Sequence, residues 1–123
     1  MLDASALLAW LNGEPGGDKV PVNTGDARIS AVNYSEVAAV MTRRGASAAD
    51  IRATLSSILL DIAPFDTEAA EAAGFMIAST KSSGLSFGDR ACLATALKQG
   101  IPAMTADRSW SGLKVAVRVQ LIR

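Results

Sequence analysis

The chain has 123 residues, half of them apolar, and its mean hydropathy is +0.26. Lysine and arginine together number 12, aspartate and glutamate also number 12, and there is no histidine, so the formal net charge is zero. This composition excludes a disordered chain, a protein drawn to nucleic acid by its bulk charge, and any catalytic triad or metal site that requires imidazole.

The first part of the chain predicts a strand stub, a helix, a loop, a second strand and a second helix. Residues 1–2 are the stub, and apolar residues at helical spacing predict a helix over residues 5–11. Residues 12–26 are rich in glycine, proline, asparagine and aspartate, which is typical of a loop. The apolar stretch at residues 27–32 predicts a buried strand, and a helix follows over about 34–44.

The remainder of the chain alternates helices with strands. These elements are a helix after Ser47, a strand at residues 62–65, helices at 67–79 and 88–99, and strands at 101–106 and 115–122. The last strand alternates apolar and polar residues, as expected at the edge of a sheet. The whole pattern predicts an α/β fold with a central, mainly parallel sheet, in one domain over residues 1–123.

Compartment signals favour the cytoplasm. No apolar run approaches the roughly 18 to 20 residues that a membrane helix needs. The start of the sequence lacks the basic region and the cleavage site of a signal peptide. Cys92 is the only cysteine, so no internal disulfide can form. We therefore expect a cytoplasmic protein with no membrane segment.

Four acids are predicted to lie beyond the carboxyl ends of the strands, where α/β folds bind their ligands. Asp3 follows the stub, Glu36 lies in the first turn of the helix after residue 32, Asp89 opens a helix, and Asp107 follows a strand. Each acid taken alone is explained by helix capping or by the helix dipole, and Asn33 and Glu36 resemble a capping box. The four together need a further explanation.

Helical spacing predicts that these acids point toward the end of the sheet. Asp3, Glu36 and Asp89 each lie one turn from apolar residues, so each continues the apolar stripe of its helix. Carboxylates that converge there repel one another, and a divalent cation removes this repulsion. Oxygen ligands without sulfur or imidazole suit Mg²⁺ or Mn²⁺, which permits phosphodiester hydrolysis without histidine.

Neighbouring polar residues fit this prediction. Ser5 and Thr105 lie close in sequence to Asp3 and Asp107 and could hydrogen-bond a carboxylate or a bound water. Arg90 and Arg108 each directly follow an acid and could contact a phosphate backbone. Surface salt bridging explains both arginines equally well.

Four stretches resemble the successive motifs of PIN-domain proteins, and more narrowly the VapC-type toxins of toxin–antitoxin pairs. They are LDASALLAWL, ISAVNYSEVAAV, LSFGDRACLATAL and IPAMTADRSW, in family order over nearly the whole chain. The resemblance implies a three-layer α/β/α domain and a Mg²⁺- or Mn²⁺-dependent endoribonuclease acting on tRNA, rRNA or mRNA. The positions that match the family's acidic motif are Asp3, Glu36, Asp89 and Asp107, with Ser5 and Thr105 at supporting polar positions.

The resemblance also implies partners. Such toxins pair with a small antitoxin that blocks the site, contact operator DNA only through that complex, and commonly form homodimers. This sequence departs from the family in two places. Only Met1 and Leu2 precede Asp3, which shortens the first strand, and Pro21 and Gly25 interrupt a segment that relatives form as a helix near the antitoxin.

Three other functions remain open from the sequence. The first is a catalytically impaired PIN-fold scaffold that binds an antitoxin without cleaving RNA, which the shortened strand favours and the complete acid set disfavours. The second is an aspartate-nucleophile phosphatase, although Ser5 stands where that chemistry usually needs a second acid. The third is a phospho-accepting receiver domain, whose acidic pair and late lysine are not evident. A stable phosphoaspartate would favour either of the last two.

Overall fold

The computed structural model describes residues 1–123, which contain four short parallel strands. The strands are β1 (Ala27–Ser30), β2 (Leu60–Ala63), β3 (Ala103–Thr105) and β4 (Val119–Leu121). β1 pairs with β2, and β3 pairs with β4. Leu2 forms parallel bridges to Ile29 of β1 and to Met104 of β3. This one residue therefore joins the two pairs, and the carboxyl ends of all strands lie at the same edge.

Six α-helices surround these strands. They are α1 (Ala4–Leu11), α2 (Ala31–Arg43), α3 (Ala48–Ser56), α4 (Thr67–Phe75), α5 (Ile77–Thr80) and α6 (Phe87–Gln99). Short 3₁₀ turns add Gly17–Lys19, Lys81–Ser83 and Arg108–Trp110. Aspartate or serine side chains cap all the α-helices except α5. None of the helices combines the length and the apolar character that a membrane crossing requires.

Two hydrophobic clusters cover opposite faces of the strands. One contains residues of α1, α2 and α3, and the other contains residues of α6. Met1 belongs to the second cluster and Leu2 to the first, because successive side chains of a strand point to opposite faces. Helices on both faces of a parallel sheet confirm the predicted α/β fold.

Helix α2 begins earlier than the sequence predicted. The strand was expected to reach residue 32 and the helix to begin near residue 34, whereas β1 ends at Ser30 and α2 begins at Ala31. Ser30 is the cap, because its side-chain oxygen accepts the backbone N–H of Asn33 at 3.1 Å. The predicted capping box of Asn33 and Glu36 is therefore wrong, and Glu36 lies in the second turn of α2 rather than the first.

Four other elements differ from the prediction, and the first is β3, which lies at Ala103–Thr105 rather than residues 101–106. β2 lies at Leu60–Ala63 rather than residues 62–65, because Pro64 has no N–H to donate to a partner strand. The helix expected over residues 67–79 is divided into α4 and α5 at Met76, shortly after Gly74, a weak helix former. The predicted strand at residues 115–122 is reduced to Val119–Leu121, which is the edge strand that the sequence indicated.

The loop over residues 12–26 is packed against the body of the protein. It contains one 3₁₀ turn, Gly17–Lys19, and it buries Val20 and Val22 in the first cluster. Lys19 Nζ donates to the Ile122 carbonyl oxygen at 2.8 Å. The loop predicted from its glycine and proline content is therefore confirmed, and it is held to the residue that directly follows β4.

Candidate active site

A cleft of about 450 Å³ opens at the carboxyl ends of the strands. All four of the acids that the sequence singled out line this cleft: Asp3, Glu36, Asp89 and Asp107. The remaining lining residues are Ala4, Ser5, Leu8, Asn33, Ala39, Val40 and Arg43. The acids come from four distant parts of the chain, so it is the fold that brings them to one place.

Asp3 is the most buried of the four acids, with a relative exposure of 5%. Its Oδ1 accepts the Ala6 backbone N–H at 2.8 Å, which caps α1. Its Oδ2 accepts the Thr105 hydroxyl at 2.6 Å, and the Ser5 hydroxyl lies 2.8 and 2.9 Å from the two carboxylate oxygens. These contacts fix the carboxylate in one orientation at the floor of the cleft.

The same two hydroxyls also hold the chain segment that leaves β3. Ser5 Oγ accepts the backbone N–H of Ala106 at 2.9 Å, and Thr105 Oγ1 accepts the backbone N–H of Asp107 at 2.9 Å. The two hydroxyl oxygens lie 3.2 Å apart. Ser5 and Thr105 therefore join Asp3 to the segment that carries Asp107.

Burial raises the pKa of Asp3 above 3.8, and the negative charge of Asp89 raises it further. The hydrogen bonds from Thr105, Ala6 and Ser5 act in the opposite direction, because they stabilise the carboxylate. The desolvation outweighs these bonds, so the carboxylate is held in an environment that disfavours its charge. A nearby cation would reverse this effect.

Glu36 is held by a polar contact that the sequence did not indicate. Its Oε2 accepts Asn33 Nδ2 at 2.9 Å, and the same Nδ2 donates to the Gly88 carbonyl oxygen at 3.0 Å. The Glu36 carboxylate lies against Gly88, where a Cβ atom would overlap it. Asn33 thus connects the acid of α2 to the first turn of α6, next to Asp89.

Asp89 and Asp107 have capping roles as well as places in the cleft. Asp89 Oδ2 accepts the Ser86 backbone N–H at 2.9 Å, and Ser86 Oγ accepts the Asp89 N–H at 3.1 Å, which forms a capping box. Asp107 Oδ1 accepts the Ser109 N–H at 2.8 Å. Capping and convergence on one cleft are therefore compatible, because each carboxylate retains a second oxygen.

The predicted arginines do not line the cleft, whereas another arginine does. Arg90 Nη1 donates to the Ala73 carbonyl oxygen at 2.9 Å, and its guanidinium lies 5.9 Å from the Phe87 ring centroid. Arg108 is exposed on the 3₁₀ turn after Asp107. Arg43, the last residue of α2, is the cleft's basic residue, and its side chain makes no ion pair or hydrogen bond.

The donor atoms of the cleft decide whether it can hold a divalent cation. No three acidic side chains come close enough together to hold a metal ion among themselves. The donors are carboxylate and hydroxyl oxygens, which Mg²⁺ and Mn²⁺ favour. Mg²⁺ commonly binds one or two carboxylates and keeps several waters, and this cleft has room for them. The donor set therefore fits a hydrated cation.

Sequence comparison identifies one family. The model of the PIN domain matches residues 1–115, which include every acid of the cleft. No sequence among the curated proteins matches the chain significantly.

Three solved structures share the fold. A toxin–antitoxin complex from Klebsiella pneumoniae is 17% identical with a TM-score of 0.73, and the match covers 99% of this chain and 96% of that one. DNA-bound VapBC from Salmonella typhimurium is 19% identical with a TM-score of 0.73, over 100% and 97% of the two chains. A member of the VapBC family of toxin-antitoxin systems from Mycobacterium tuberculosis is 23% identical with a TM-score of 0.53, over 76% and 79%.

Proposed function

The chain belongs to the PIN domain family, and on that premise we propose that it is a metal-dependent endoribonuclease, the VapC-type toxin of a toxin–antitoxin pair. The observation that carries the proposal is the convergence of Asp3, Glu36, Asp89 and Asp107 on one cleft. A cluster of acids with no histidine suits hydrolysis assisted by a divalent cation.

In the proposed chemistry the acids bind the cation, and neighbouring hydroxyl groups orient the acids. A bound Mg²⁺ or Mn²⁺ would lower the pKa of an attacking water and stabilise charge on the phosphodiester. In this proposal Asp3, Glu36 and Asp89 would hold a hydrated cation, one or two of them directly and the rest through its bound waters, with Asp107 at the rim of the cleft. Ser5 and Thr105 keep the Asp3 carboxylate oriented through their hydrogen bonds, which reduces reorganisation during the reaction.

Metal removal is the first test of this function. A labelled total-tRNA pool is incubated with the purified protein in Mg²⁺, in Mn²⁺ or in EDTA. We expect cleavage with either metal, none in EDTA, and recovery when excess metal is restored. Cleavage that persists in EDTA would contradict the metal-dependent mechanism. A folded protein that cleaves no tRNA, rRNA or mRNA with either metal would favour the alternative, a scaffold that binds an antitoxin without cleaving RNA.

Arg43 supports a polyanionic substrate. A guanidinium with no ion pair stands on the wall of a cleft that contains four acids, and it is exposed to solvent. The acids repel the phosphates of an RNA backbone, and a positively charged side chain offsets this repulsion. Guanidinium groups bind phosphate through paired hydrogen bonds. We propose that Arg43 contacts a phosphate next to the cleaved bond.

Replacing Arg43 with alanine is expected to raise KM for RNA about tenfold with little change in kcat, because one charge-assisted hydrogen bond to the substrate is lost. Arg44→Ala is the matched control, since Arg44 donates to Asn12 outside the cleft. Steady-state cleavage of a defined RNA substrate measures both constants. An equal rise in KM for both variants would remove Arg43 from the substrate site.

The proposed partners follow from the family and from the related complexes. One related structure is a toxin–antitoxin complex, a second is VapBC bound to DNA, and a third is a member of the VapBC family of toxin-antitoxin systems. We propose that this chain also binds a small antitoxin, contacts operator DNA only through that complex, and forms a homodimer in the cytoplasm. Co-purification of this chain with a co-expressed small antitoxin tests the first of these partners.

A further inference from the structure

Asn33 is buried in the wall of the cleft, with a relative exposure of 1%, and its side-chain amide is fully used. Asn33 Oδ1 accepts the Ser30 hydroxyl at 2.6 Å, while Nδ2 donates to Glu36 Oε2 and to the Gly88 carbonyl oxygen. A buried amide with donors and acceptor all satisfied has one rotamer and one orientation. The group it faces on the cleft side is the Glu36 carboxylate.

These contacts fix Glu36 relative to the N-terminus of α6. The bond from Asn33 to the Gly88 carbonyl oxygen ties α2 to α6 beside Asp89. The absence of a side chain at Gly88 allows the Glu36 carboxylate to lie directly against that turn. The spacing between the carboxylates of Glu36 and Asp89 therefore depends on the Asn33 amide.

We propose that Asn33 is a positioning residue, which holds the Glu36 carboxylate at the distance from Asp89 that binding of a divalent cation requires. The proposal rests on the metal site of the proposed function. Asn33 itself does not touch the cation. It acts through Glu36, as outer hydrogen-bond partners of metal ligands generally do.

The test is Mn²⁺ binding by the full chain without RNA, measured by isothermal titration calorimetry. Asn33→Ala is expected to raise the dissociation constant about 10- to 100-fold. Ser30→Ala is the matched control, because it removes the cap of α2 and the bond to Asn33 Oδ1 but leaves the groups at both ends of the two Nδ2 bonds unchanged. It is expected to lower the melting temperature and to leave Mn²⁺ affinity within about twofold of wild type.

A double variant separates positioning from general destabilisation. If Asn33 acts through Glu36, adding Asn33→Ala to Glu36→Gln should not weaken Mn²⁺ binding beyond the effect of Glu36→Gln alone. Far-UV circular dichroism at the assay temperature confirms that each variant is folded. Additive losses in the double variant, or equal losses in Ser30→Ala and Asn33→Ala, would overturn the proposal.

The outcomes also separate this proposal from the proposed function. A wild-type chain that binds Mn²⁺ but cleaves no RNA would reject the nuclease, and the variants would still decide the role of Asn33. A wild-type chain that binds no Mn²⁺ would overturn the role of Asn33, whether or not RNA is cleaved. Wild-type binding with an unchanged dissociation constant in folded Asn33→Ala would also overturn it.

Discussion

Replacing Asp89 with asparagine is expected to lower RNA cleavage by at least about 100-fold while the fold is retained. Asp89 lines the cleft, and its Oδ2 also accepts the Ser86 N–H in the capping box of α6. An asparagine oxygen can accept the same N–H, so the cap survives the substitution. The substitution removes the negative charge, which is the property that attracts a cation.

The control for this variant is the same change at an equivalent helical position. Asp50 occupies the third position of α3 after the cap Ser47, as Asp89 does in α6 after Ser86, but it lies outside the cleft. Asp50→Asn should cleave RNA at the wild-type rate. Cleavage of labelled tRNA and far-UV circular dichroism are measured for both variants. Full activity in Asp89→Asn with an unchanged spectrum would remove Asp89 from the catalytic set.

Elements with strong local signals were predictable within one or two residues. α1 was expected over residues 5–11 and lies at Ala4–Leu11, and α6 was expected over 88–99 and lies at Phe87–Gln99. Gly100, with φ of 64°, ends α6 in the left-handed conformation that glycine adopts easily. Capping residues and terminal glycines act within one helical turn, so the helix ends that they determine can be predicted from the local sequence.

Strand lengths were less predictable, because a strand extends only as far as the neighbouring strand with which it forms hydrogen bonds. Residues 115–118 alternate as a strand does, yet β4 begins at Val119, opposite Ala103, the first residue of β3. β3 itself has three residues, so there is no partner for a longer β4. Pairing of this kind is set by the fold and not by local composition.

The positions of the acids in the cleft were predictable, whereas the contacts of Asn33 were not. Each acid follows a strand or lies in the first two turns of a helix, which is visible locally, but the bond from Asn33 to Gly88 spans 55 residues. Arg43 had a usable signal: Glu36, Ala39, Val40 and Arg43 recur at helical spacing and all line the cleft. Following the face of α2 that contains Glu36 to the end of the helix would have placed Arg43 in the cleft.

Replacing Asp3 with asparagine is expected to abolish cleavage without destabilising the metal-free protein at neutral pH. Burial raises the pKa of Asp3, so the folded state binds its proton more tightly than the unfolded state. The stability that this proton contributes is fully present below pH 3.8 and is lost as the pH rises through the folded pKa. A negative charge on Asp3 is less stable in the folded than in the unfolded protein, which lowers the free energy of unfolding at neutral pH, and asparagine carries no such charge.

The local hydrogen bonds allow this substitution. An asparagine oxygen can take the place of Oδ1 and accept the Ala6 N–H, which keeps the cap of α1. The new amide group then faces the hydroxyls of Ser5 and Thr105, which can rotate to accept its hydrogens. We expect a melting temperature at or above that of wild type near pH 7, with the difference reduced near about pH 4.

Added Mn²⁺ should make the melting temperature of wild type higher than that of Asp3→Asn. A cation that binds only the folded state raises the free energy of unfolding by about 2.7 kcal/mol at about 100 times its Kd, which corresponds to roughly 10 °C in Tm for a domain of this size. Wild type is expected to gain this stability and Asp3→Asn to gain almost none. Asp61→Asn, a change at an exposed acid that pairs with Arg28, should respond to Mn²⁺ as wild type does. A marked loss of stability in metal-free Asp3→Asn near pH 7, or an undiminished response to Mn²⁺, would mean that the buried carboxylate serves the fold rather than a cation.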